Sequence, residues 1–525
     1  MTDESLPKAQ LSEQIRSLLS RSETYPEGGP VELCETHISQ VFLTPTSAYK
    51  RLKPVRFQFL DFSTLEARYI ESWNEVRLNR RLAAGIYQNV IPVTRSEGQL
   101  QLSGTGSPVD WLINMARLPD GKTLESFIKA NTATLKQIDQ LLAILIPFFR
   151  QASRGPKINN SGKPHIIRQN QVENHFVLSR HFKENSEMAQ EVNRLQSAQL
   201  QFLVLQQSLF RHRMEEGWIR DGHGDLRAEH LYLTAPPVAV DCVAFNDRLR
   251  HADLLDEFCF LATDLKRLGR DDLAEYLLSR YREEMQDPAD ERLIAFYQSY
   301  RSAVRAKVAC LRAAEQAEES RTLSEQEAIS HLQSAVSILR EVHQPILIIF
   351  CGLSGSGKSY LAAKLAELLG ARHLRSDVVR KQHFAADQKN HPTADALYSK
   401  QANAETYELL QDGTQVSLAA GVTTVVDATF RIATDREPFR KLAKQSGVPC
   451  LCVEVTCSDE VATRRIADRS AQGTDPSDAN VDVRLSQKRE FEPPDEFGAD
   501  FRFQVDGTLS AEENCSQIVS RLGVV

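Results

Sequence analysis

One segment constrains the fold of this chain more than any other. Residues 346–359 read Ile-Leu-Ile-Ile-Phe-Cys-Gly-Leu-Ser-Gly-Ser-Gly-Lys-Ser, an apolar run followed by the pattern G-x-x-x-x-G-K-S. Such a pattern places a glycine-rich turn between a buried strand and a helix, and the turn can direct backbone N–H groups at phosphate oxygens. The sequence therefore predicts a nucleotide phosphate site. Lys358 would reach the β- and γ-phosphates and Ser359 would hold Mg²⁺, and the predicted contact residues are Gly352, Ser354, Gly355, Ser356, Gly357, Lys358 and Ser359.

The length and composition indicate a globular protein with several domains, because 525 residues with 42% apolar side chains can bury more than one core. The 63 basic and 70 acidic residues give a net charge of −7, which argues against a general electrostatic hold on nucleic acid or an anionic membrane. Without a signal-peptide pattern or the roughly 20 apolar residues of a membrane span, the protein is expected to be cytoplasmic. The nine cysteines lack C-x-x-C spacing and are expected to be reduced core thiols.

The apolar pattern predicts two domains, residues 1–340 and 341–525. In the first, strand-like runs precede a loop at 154–164 that is rich in Gly, Asn, Ser, Lys and Pro, and long helical patterns follow it. In the second, strands and helices alternate, as is typical of a doubly wound α/β domain with a parallel sheet. The strand-like runs are 38–43, 48–59 and 108–118, and the helical patterns cover 169–216 and 253–340.

Two acidic residues beyond the phosphate loop are candidates for the chemistry of phosphoryl transfer. Asp377 follows the next candidate strand, where it could accept the proton of an attacking hydroxyl, and Arg380 could orient the acceptor. Asp427 ends the β-branched run 422–427, a setting in which a carboxylate binds Mg²⁺. Alternatively, each acid could cap a helix or a strand end, and Arg380 could be solvated.

Arg465 and Arg469 lie four residues apart, so both side chains share one face of a predicted helix. From a mobile lid they could close over the transferring phosphates and offset negative charge. A solvated basic helix face is the alternative.

Together these residues resemble the P-loop kinase family that includes polynucleotide 5′-hydroxyl kinases, zeta toxins, gluconate kinase and chloramphenicol phosphotransferase. The resemblance covers residues 345 to about 505, including the stretch 473–479 after the basic pair. It implies that ATP binds at the phosphate loop, that Asp377 activates the acceptor hydroxyl, and that Arg465 and Arg469 clamp the phosphates. The Asp-x-x-Arg spacing is most similar to that of the polynucleotide kinases.

A second group of candidate residues lies in the N-terminal half. The motif His223-Gly-Asp225 precedes a short apolar run and Asp241 ends the next one, so two acids flank a short hairpin. Asp225 could take the proton of an acceptor hydroxyl while Asp241 binds Mg²⁺ that bridges the phosphates of ATP. Lys50 on a strand and Glu75 on a helix could form the ion pair that positions the α- and β-phosphates, with Lys53 as the alternative lysine.

This arrangement resembles the aminoglycoside phosphotransferases, a branch of the protein-kinase-like fold, over residues 30 to about 310. The resemblance implies a bilobal α+β domain in which Met115 belongs to the hinge strand beside adenine. His230 stands where the family has a metal-binding asparagine, and imidazole is a poorer ligand than an amide oxygen for Mg²⁺. Over nearly its whole length the chain resembles bacterial bifunctional proteins that join such a domain to an ATP-binding P-loop domain.

The sequence thus predicts an ATP- and Mg²⁺-dependent kinase that acts on a hydroxyl-bearing substrate through its C-terminal domain, with the N-terminal domain as a second phosphotransferase or a regulatory module. A polynucleotide 5′-hydroxyl kinase is an alternative, although the net acidity gives no support for a basic channel. A nucleotide-gated switch that phosphorylates no third molecule is another. No motif indicates the acceptor, the choice between ATP and GTP, or the oligomeric state.

Overall fold

The computed structural model describes residues 8–57, 60–340, 343–385, 399–472, 477, 479–499 and 501–522. The chain divides into two compact units, the first made of Met1–Lys163 with Arg211–Gln298 and the second of Pro164–Phe210 with Ser299–Val525. The predicted boundary near residue 340 falls inside the second unit, since helices that precede it belong to that unit. The division into domains 1–340 and 341–525 therefore stays a prediction.

The N-terminal 163 residues contain all strands of one large sheet and five helices. Their bounds are α1 Lys8–Leu19, β1 Glu32–Glu35, β2 Ser39–Leu43, β3 Ser47–Leu52, β4 Arg56–Phe57, β5 Leu60–Asp61, α2 Leu65–Asn79, β6 Tyr87–Ser96, β7 Gln99–Leu102, β8 Ser107–Ala116, α3 Leu124–Lys129, α4 Leu135–Gln151 and α5 Pro156–Asn159.

The middle of the chain is mostly helical, with four short strands among its described residues. Its elements are α6 Pro164–His181, α7 Ser186–Leu205, α8 Gln207–Glu215, β9 Ile219–Asp221, β10 Leu231–Tyr232, β11 Val238–Ala239, α9 Asp247–Arg250, β12 His251–Asp253, α10 Leu254–Arg267, α11 Asp271–Met285, α12 Glu291–Glu315 and α13 Glu318–Arg340.

Strands and helices alternate in the remainder, as the sequence predicts. The bounds are β13 Leu347–Cys351, α14 Lys358–Leu369, β14 Arg372–Arg375, α15 Ser376–Ala385, α16 Lys400–Ala419, β15 Thr424–Asp427, α17 Ala433–Ser446, β16 Cys450–Thr456, α18 Asp459–Gln472, α19 Val481–Glu490, β17 Arg502–Asp506 and α20 Ala511–Leu522. Among the described residues, no helix combines the length and apolar character that crossing a membrane requires.

The first unit is built on a six-stranded antiparallel sheet in the order β1-β2-β3-β8-β6-β7. Helix α2 begins after Thr64, whose hydroxyl accepts a hydrogen bond from the N–H of Ala67, and packs against β6 and β8. A buried carboxylate, Asp110 of β8, accepts 2.7 Å bonds from Arg51 of β3 and Arg68 of α2. Because a buried charge is tolerated only when paired, this cluster fixes α2 against β3.

The second unit contains a five-stranded parallel sheet in the order β14-β15-β13-β16-β17. Alternate residues of the central strand β13 pack on opposite sides, Ile348 and Phe350 with α14 and α20, and Ile349 and Cys351 with α16 and α17. A strand covered on both faces requires the continuous apolar run seen in the sequence. The prediction of a parallel α/β sheet in the C-terminal region is confirmed.

The helices α6, α7, α12 and α13 share a buried apolar cluster within the same unit. Val204 near the end of α7 also lies in the cluster that contains α14. Gln201 of α7 accepts a hydrogen bond from the hydroxyl of Thr423 and donates one of 3.3 Å to the carbonyl of Gln344. These contacts tie α7 to the start of β13 and to the chain just before β15.

Candidate functional site

The phosphate loop 352–359 connects β13 to α14 at the carboxyl end of the central strand. Gly352, Gly355 and Gly357 have φ angles of 137°, 81° and 96°, which residues with a side chain rarely adopt. A Cβ atom would also lie 2.5 Å from the carbonyl oxygen of Val455 at Gly352, and 2.8 Å from that of Ala462 at Gly355. The glycines are therefore required by both conformation and space.

Lys358 and Ser359 form the first turn of α14, where backbone N–H groups have no partner inside the helix. The hydroxyl of Ser356 is buried and has no hydrogen-bond partner in the part of the chain that the structure describes. A loop with free donors at the positive end of a helix dipole is suited to bind phosphate oxygens. The structure thus brings together the loop residues that the sequence singled out.

Two arginines hold the carbonyl groups of this loop. Arg484 of α19, almost fully buried, donates a 2.6 Å hydrogen bond to the carbonyl of Ser354, and Gln487 accepts one of 3.0 Å from the N–H of the same residue. Arg465 of α18 donates to the carbonyl of Ser356 at 3.1 Å and to that of Gly507 at 2.8 Å. The loop is therefore positioned by side chains from two later helices.

The contacts of Arg465 and Arg469 differ from the phosphate contacts that the sequence predicts for this pair. The described guanidinium bonds of Arg465 and Arg469 go to backbone carbonyls, and Arg469 donates to Ala479 at 2.6 Å. The role of both residues in clamping transferred phosphates stays a prediction. Residues 473–476 and 478 of the stretch that follows them lie outside the described residues.

Asp427 ends β15, directly beside Phe350 of β13 and Arg375 of β14 in the sheet register. Its side chain is almost fully buried, yet neither carboxylate oxygen has a hydrogen-bond partner among the described residues. Two basic side chains lie near it but beyond hydrogen-bonding distance, Arg375 with Nε at 3.8 Å and His373 with Nε2 at 4.0 Å. Leaving a buried carboxylate without hydrogen bonds is costly, and a bound cation would remove that cost. Asp427 and the hydroxyl of Ser359 are hard oxygen donors that fit Mg²⁺.

Asp377 lies in the first turn of α15, two residues after β14 ends at the same edge of the sheet. Arg380 donates to Asp377 Oδ1 at 3.1 Å and to Asn403 Oδ1 at 3.0 Å. The structure brings the two predicted residues together, and the side chain of the aspartate is half-buried. Their roles toward an acceptor stay predictions.

In the first unit, Lys50 of β3 donates to Glu75 of α2 at 2.7 Å and to Asp241 at 3.2 Å. Burial alone would lower the pKa of Lys50, but these two carboxylates raise it well above its usual value. Lys50 in turn holds the pKa of Asp241 far below its usual range. Lys53, the alternative lysine, pairs with Glu35 at 2.6 Å instead, so the geometry favours Lys50.

Asp225 and His230 complete this group. Asp225 is held by Arg227 through bonds of 2.9 and 3.0 Å, and His230 in the 3₁₀ turn Ala228–His230 lies 3.6 Å from Asp241. The N–H groups of His223 and Gly224 both donate to Glu257 at 2.9 and 2.7 Å. The motif that the sequence identified is thus fixed by a glutamate from α10.

Met115 lies near the end of β8, opposite Ala48 of β3 and Tyr87 of β6. Its side chain is buried in a cluster with Val76 and Ile113. Contact of this strand with adenine stays a prediction.

Sequence reasoning missed four residues that organise the two sites: Arg227, Glu257, Arg484 and Gln487. Arg484 and Gln487 share a helix face at i and i+3, which is the one local signal that either carries. Nothing in that spacing indicates a partner about 130 residues earlier, because the contact depends on the sheet being assembled. Arg227 was visible only as a basic residue beside the Asp225 motif.

A family model described as an AAA domain, AAA_33, matches residues 347–494. The matched residues include the phosphate loop, Asp427 and Arg484. Among curated proteins, the chain is similar to uncharacterized protein Rv2004c of Mycobacterium tuberculosis and uncharacterized protein Mb2027c of Mycobacterium bovis. Each is 30% identical over 449 residues, which cover 85% of this chain and 87% of the relative.

Solved structures of kinases are also similar to part of the chain. A putative kinase from Chloroflexus aurantiacus is 24% identical with a TM-score of 0.30, and the match covers 35% of this chain and 98% of that one. A gluconokinase from Sinorhizobium meliloti is 19% identical with a TM-score of 0.26, over 35% and 95% of the two chains. The APS kinase of Mycobacterium tuberculosis, solved with AMPPNP and APS, is 20% identical with a TM-score of 0.26, over 34% and 98%.

Proposed function

This chain belongs to the family of the two mycobacterial proteins that it matches over 85% of its length, and we propose that it is an ATP- and Mg²⁺-dependent kinase that phosphorylates a hydroxyl group at the phosphate loop of its second unit. The observation that carries this proposal is the pairing of two features at adjacent strand ends. A phosphate loop with free donors follows β13, and the buried Asp427, which has no hydrogen-bond partner within the described ranges, ends the neighbouring β15. One feature suits the phosphates and the other suits the cation that accompanies them.

The roles follow from where each group lies. Lys358 and the loop N–H groups would bind the β- and γ-phosphates, while Ser359 and Asp427 would hold Mg²⁺, which would neutralise charge on the phosphate oxygens. Asp377 would accept the proton of the acceptor hydroxyl. The hydroxyl oxygen would bond to the γ-phosphorus while the bond between that phosphorus and the leaving oxygen of ADP breaks. Arg380, already bonded to Asp377, would orient the acceptor. Arg465 and Arg469 would offset the charge of the transferred group.

The first unit would be a second nucleotide site of the aminoglycoside phosphotransferase type. Supporting this, Lys50, Glu75 and Asp241 form one connected group beside Asp225, as a protein-kinase-like site requires. The bidentate bond from Arg227 takes one lone pair on each oxygen of Asp225 and stabilises the ionised carboxylate, which makes it a weaker proton acceptor while the pair is intact. This feature favours a regulated or regulatory site.

Transfer of labelled γ-phosphate from ATP to cell extract, separated into small-molecule, RNA and protein fractions, tests the proposal. Lys358→Ala should abolish labelling of the acceptor fraction, and Asp377→Asn should reduce it strongly while ATP still binds. Asp225→Asn leaves the second unit unchanged and should keep the labelling.

Of three further results, the first and the third would contradict the proposal, and the second would identify the acceptor. Labelling that survives Lys358→Ala but is lost with Asp225→Asn would place the transfer in the first unit. Labelling confined to RNA, with binding that weakens steeply with salt, would indicate a polynucleotide kinase. Nucleotide binding without a labelled acceptor in any fraction would indicate a nucleotide-gated switch.

A further inference from the structure

Asp241 has a backbone conformation that residues with a side chain rarely adopt. It lies just after β11, and its φ angle is 62°, in the left-handed region that favours glycine. Aspartate tolerates this region better than most residues, but the conformation persists only where the surrounding structure holds it. Contacts from elsewhere in the first unit must therefore keep this backbone in place.

Two side chains from the connection between α2 and β6 accept hydrogen bonds from the backbone here. The N–H of Asp241 donates to the hydroxyl of Tyr87, the first residue of β6, at 3.3 Å. The N–H of Cys242 donates at 2.9 Å to Oδ1 of Asn79, the last residue of α2, whose Nδ2 donates to the carbonyl of Glu75. Tyr87 and Asn79 are 4% and 1% exposed, so water does not compete for these bonds.

Arg81 lies in the same connection and bonds to the chain on both sides of the β10–β11 hairpin. Before the hairpin, its guanidinium donates to the carbonyls of Asp221 and Gly222 at 3.0 and 2.6 Å. After the hairpin, it donates to Cys242 Sγ at 3.2 Å. One side chain therefore ties the end of α2 to the two segments that flank the candidate acids.

From these contacts we infer that Asn79, Arg81 and Tyr87 form a latch of positioning residues, which holds the carboxylate of Asp241 toward Lys50. The inference rests on the proposal that the first unit has a second nucleotide site. Rotation about φ redirects the side chain of a residue, so relaxation out of the left-handed region turns the carboxylate away from Lys50. The first unit binds nucleotide only while the latch is closed, and the connection between α2 and β6 controls the site.

The thiol of Cys242 reports the state of the latch without any nucleotide. It is 5% exposed, and burial raises its pKa to about 11, so it should react slowly with iodoacetamide while the latch is closed. The exposed Cys34 gives the rate of an accessible thiol on the same chain, and the buried Cys259 of α10 reacts only if the unit unfolds. Labelling of the ligand-free full chain, followed by peptide mass spectrometry, separates local opening from unfolding.

Two kinds of substitution open the latch. Tyr87→Phe removes only the acceptor for the N–H of Asp241. It should raise the labelling rate of Cys242 about 10-fold while Cys259 stays unlabelled, because one lost buried hydrogen bond shifts an opening equilibrium by about that factor. Arg81→Ala removes bonds on both sides of the hairpin and should raise the rate at least as much. Arg81→Lys keeps a single donor and should recover part of the protection.

Matched controls alter the same residue types away from the latch. Tyr276→Phe removes a hydroxyl that bonds to Asp139 on the surface, and Arg77→Ala alters an exposed side chain of α2. Both should keep the wild-type labelling rate of Cys242.

Binding of a non-hydrolysable ATP analogue then links the latch to the site. In the Lys358→Ala chain, the binding that is lost with Lys50→Ala belongs to the first unit. The double variant Tyr87→Phe/Arg81→Ala should weaken that binding at least about 10-fold, because affinity falls with the fraction of chains in the competent state.

The labelling and the binding can fail separately. A wild-type labelling rate of Cys242 in both Tyr87→Phe and Arg81→Ala would overturn the inference. Equal rises at Cys242 and Cys259 would overturn it as well, since they would mean that the whole unit is destabilised. Faster labelling of Cys242 alone, with no nucleotide bound to the first unit in any chain, would confirm the latch on Asp241 and contradict the second nucleotide site.

Discussion

The two candidate sites differ in how their charges are satisfied. In the first unit each acid already has a cationic partner, Asp225 with Arg227 and Asp241 with Lys50. In the described residues of the second unit, Asp427 has no hydrogen-bond partner and the helix that begins at Lys358 presents free donors. A site with paired charges is stable without ligand, whereas an unpaired one is costly without ligand and is stabilised when the ligand binds.

The largest effect is expected at the phosphate loop. Lys358→Ala removes the cation that would contact the β- and γ-phosphates, and we expect phosphoryl transfer to fall by about 10²–10³-fold. The measurement is the rate of labelled phosphate transfer at saturating Mg²⁺. Lys364→Ala on the same helix, where the lysine pairs with Glu367 on the surface, is the matched control and should retain the wild-type rate. A comparable loss in both variants would show that the effect comes from the helix rather than from the loop.

The substitution Asp427→Asn tests whether an acid without hydrogen bonds behaves differently from the ion-paired acids of the first unit. Without ligand, the variant replaces a buried charge that lacks hydrogen bonds by a neutral amide, so its melting temperature should be no lower than that of the wild type. With Mg²⁺ and ATP, transfer should fall by about 100-fold and the stabilisation by Mg²⁺-ATP should shrink, because the cation loses a carboxylate. Calorimetry with and without Mg²⁺-ATP measures both. A melting temperature several degrees lower in the ligand-free variant would mean that Asp427 has a structural partner instead.

Asp412→Asn is the matched control for this change, since Asp412 is exposed on α16. It should alter neither the melting temperature nor the response to Mg²⁺-ATP.

Lowering the pH should reduce the free energy of unfolding of the first unit, because His223 is buried there. Burial lowers the pKa of His223 to about 4, so between that value and about 6.5 the unfolded chain binds a proton that the folded chain does not. This contribution to stability is present above pH 6.5 and is lost as the pH falls toward 4, by about 3 kcal/mol at the lower limit. Denaturant unfolding at several pH values measures the slope.

His223→Gln removes this group, so its stability should depend less on pH over the same range. His37→Gln alters an exposed histidine and should keep the wild-type slope. Equal slopes for His223→Gln and the wild type would show that His223 is protonated equally in both states.

The sequence predicts the local features of both sites well, and for a physical reason. The phosphate loop depends on a strand, a turn and a helix that are contiguous, and Asp427 follows from the rule that parallel strands end at one edge. Lys50 and Lys53 could not be distinguished in this way, because the choice depends on how β3 pairs with β8 and where α2 packs. Register and packing are properties of the assembled sheet.

Partners distant in sequence could not be predicted at all. The amphipathic pattern of α7 indicates a helix with one buried face, but it does not indicate that this face meets α14 in the second unit. In the same way, the residues of α19 give no sign that one of them reaches the phosphate loop. Both contacts are specified by shape and hydrogen bonding after the fold has formed.

The smallest effect, and the most informative about the second site, concerns Arg484. Its guanidinium holds the carbonyl of Ser354 and pairs with Asp459, so Arg484→Ala should loosen the loop without touching the nucleotide. We expect the KM for ATP to rise about 10-fold, equivalent to about 1.4 kcal/mol, with a smaller change in kcat. Lys488→Ala is the control, because Lys488 also pairs with Asp459 but makes no bond to the loop. Arg484→Lys should recover part of the loss, since a lysine can reach a carbonyl with a single donor. If kcat falls and KM stays at the wild-type value, Arg484 acts on the transferred phosphoryl group itself. The phosphate loop would then be less fully positioned before ligand binds than its geometry indicates.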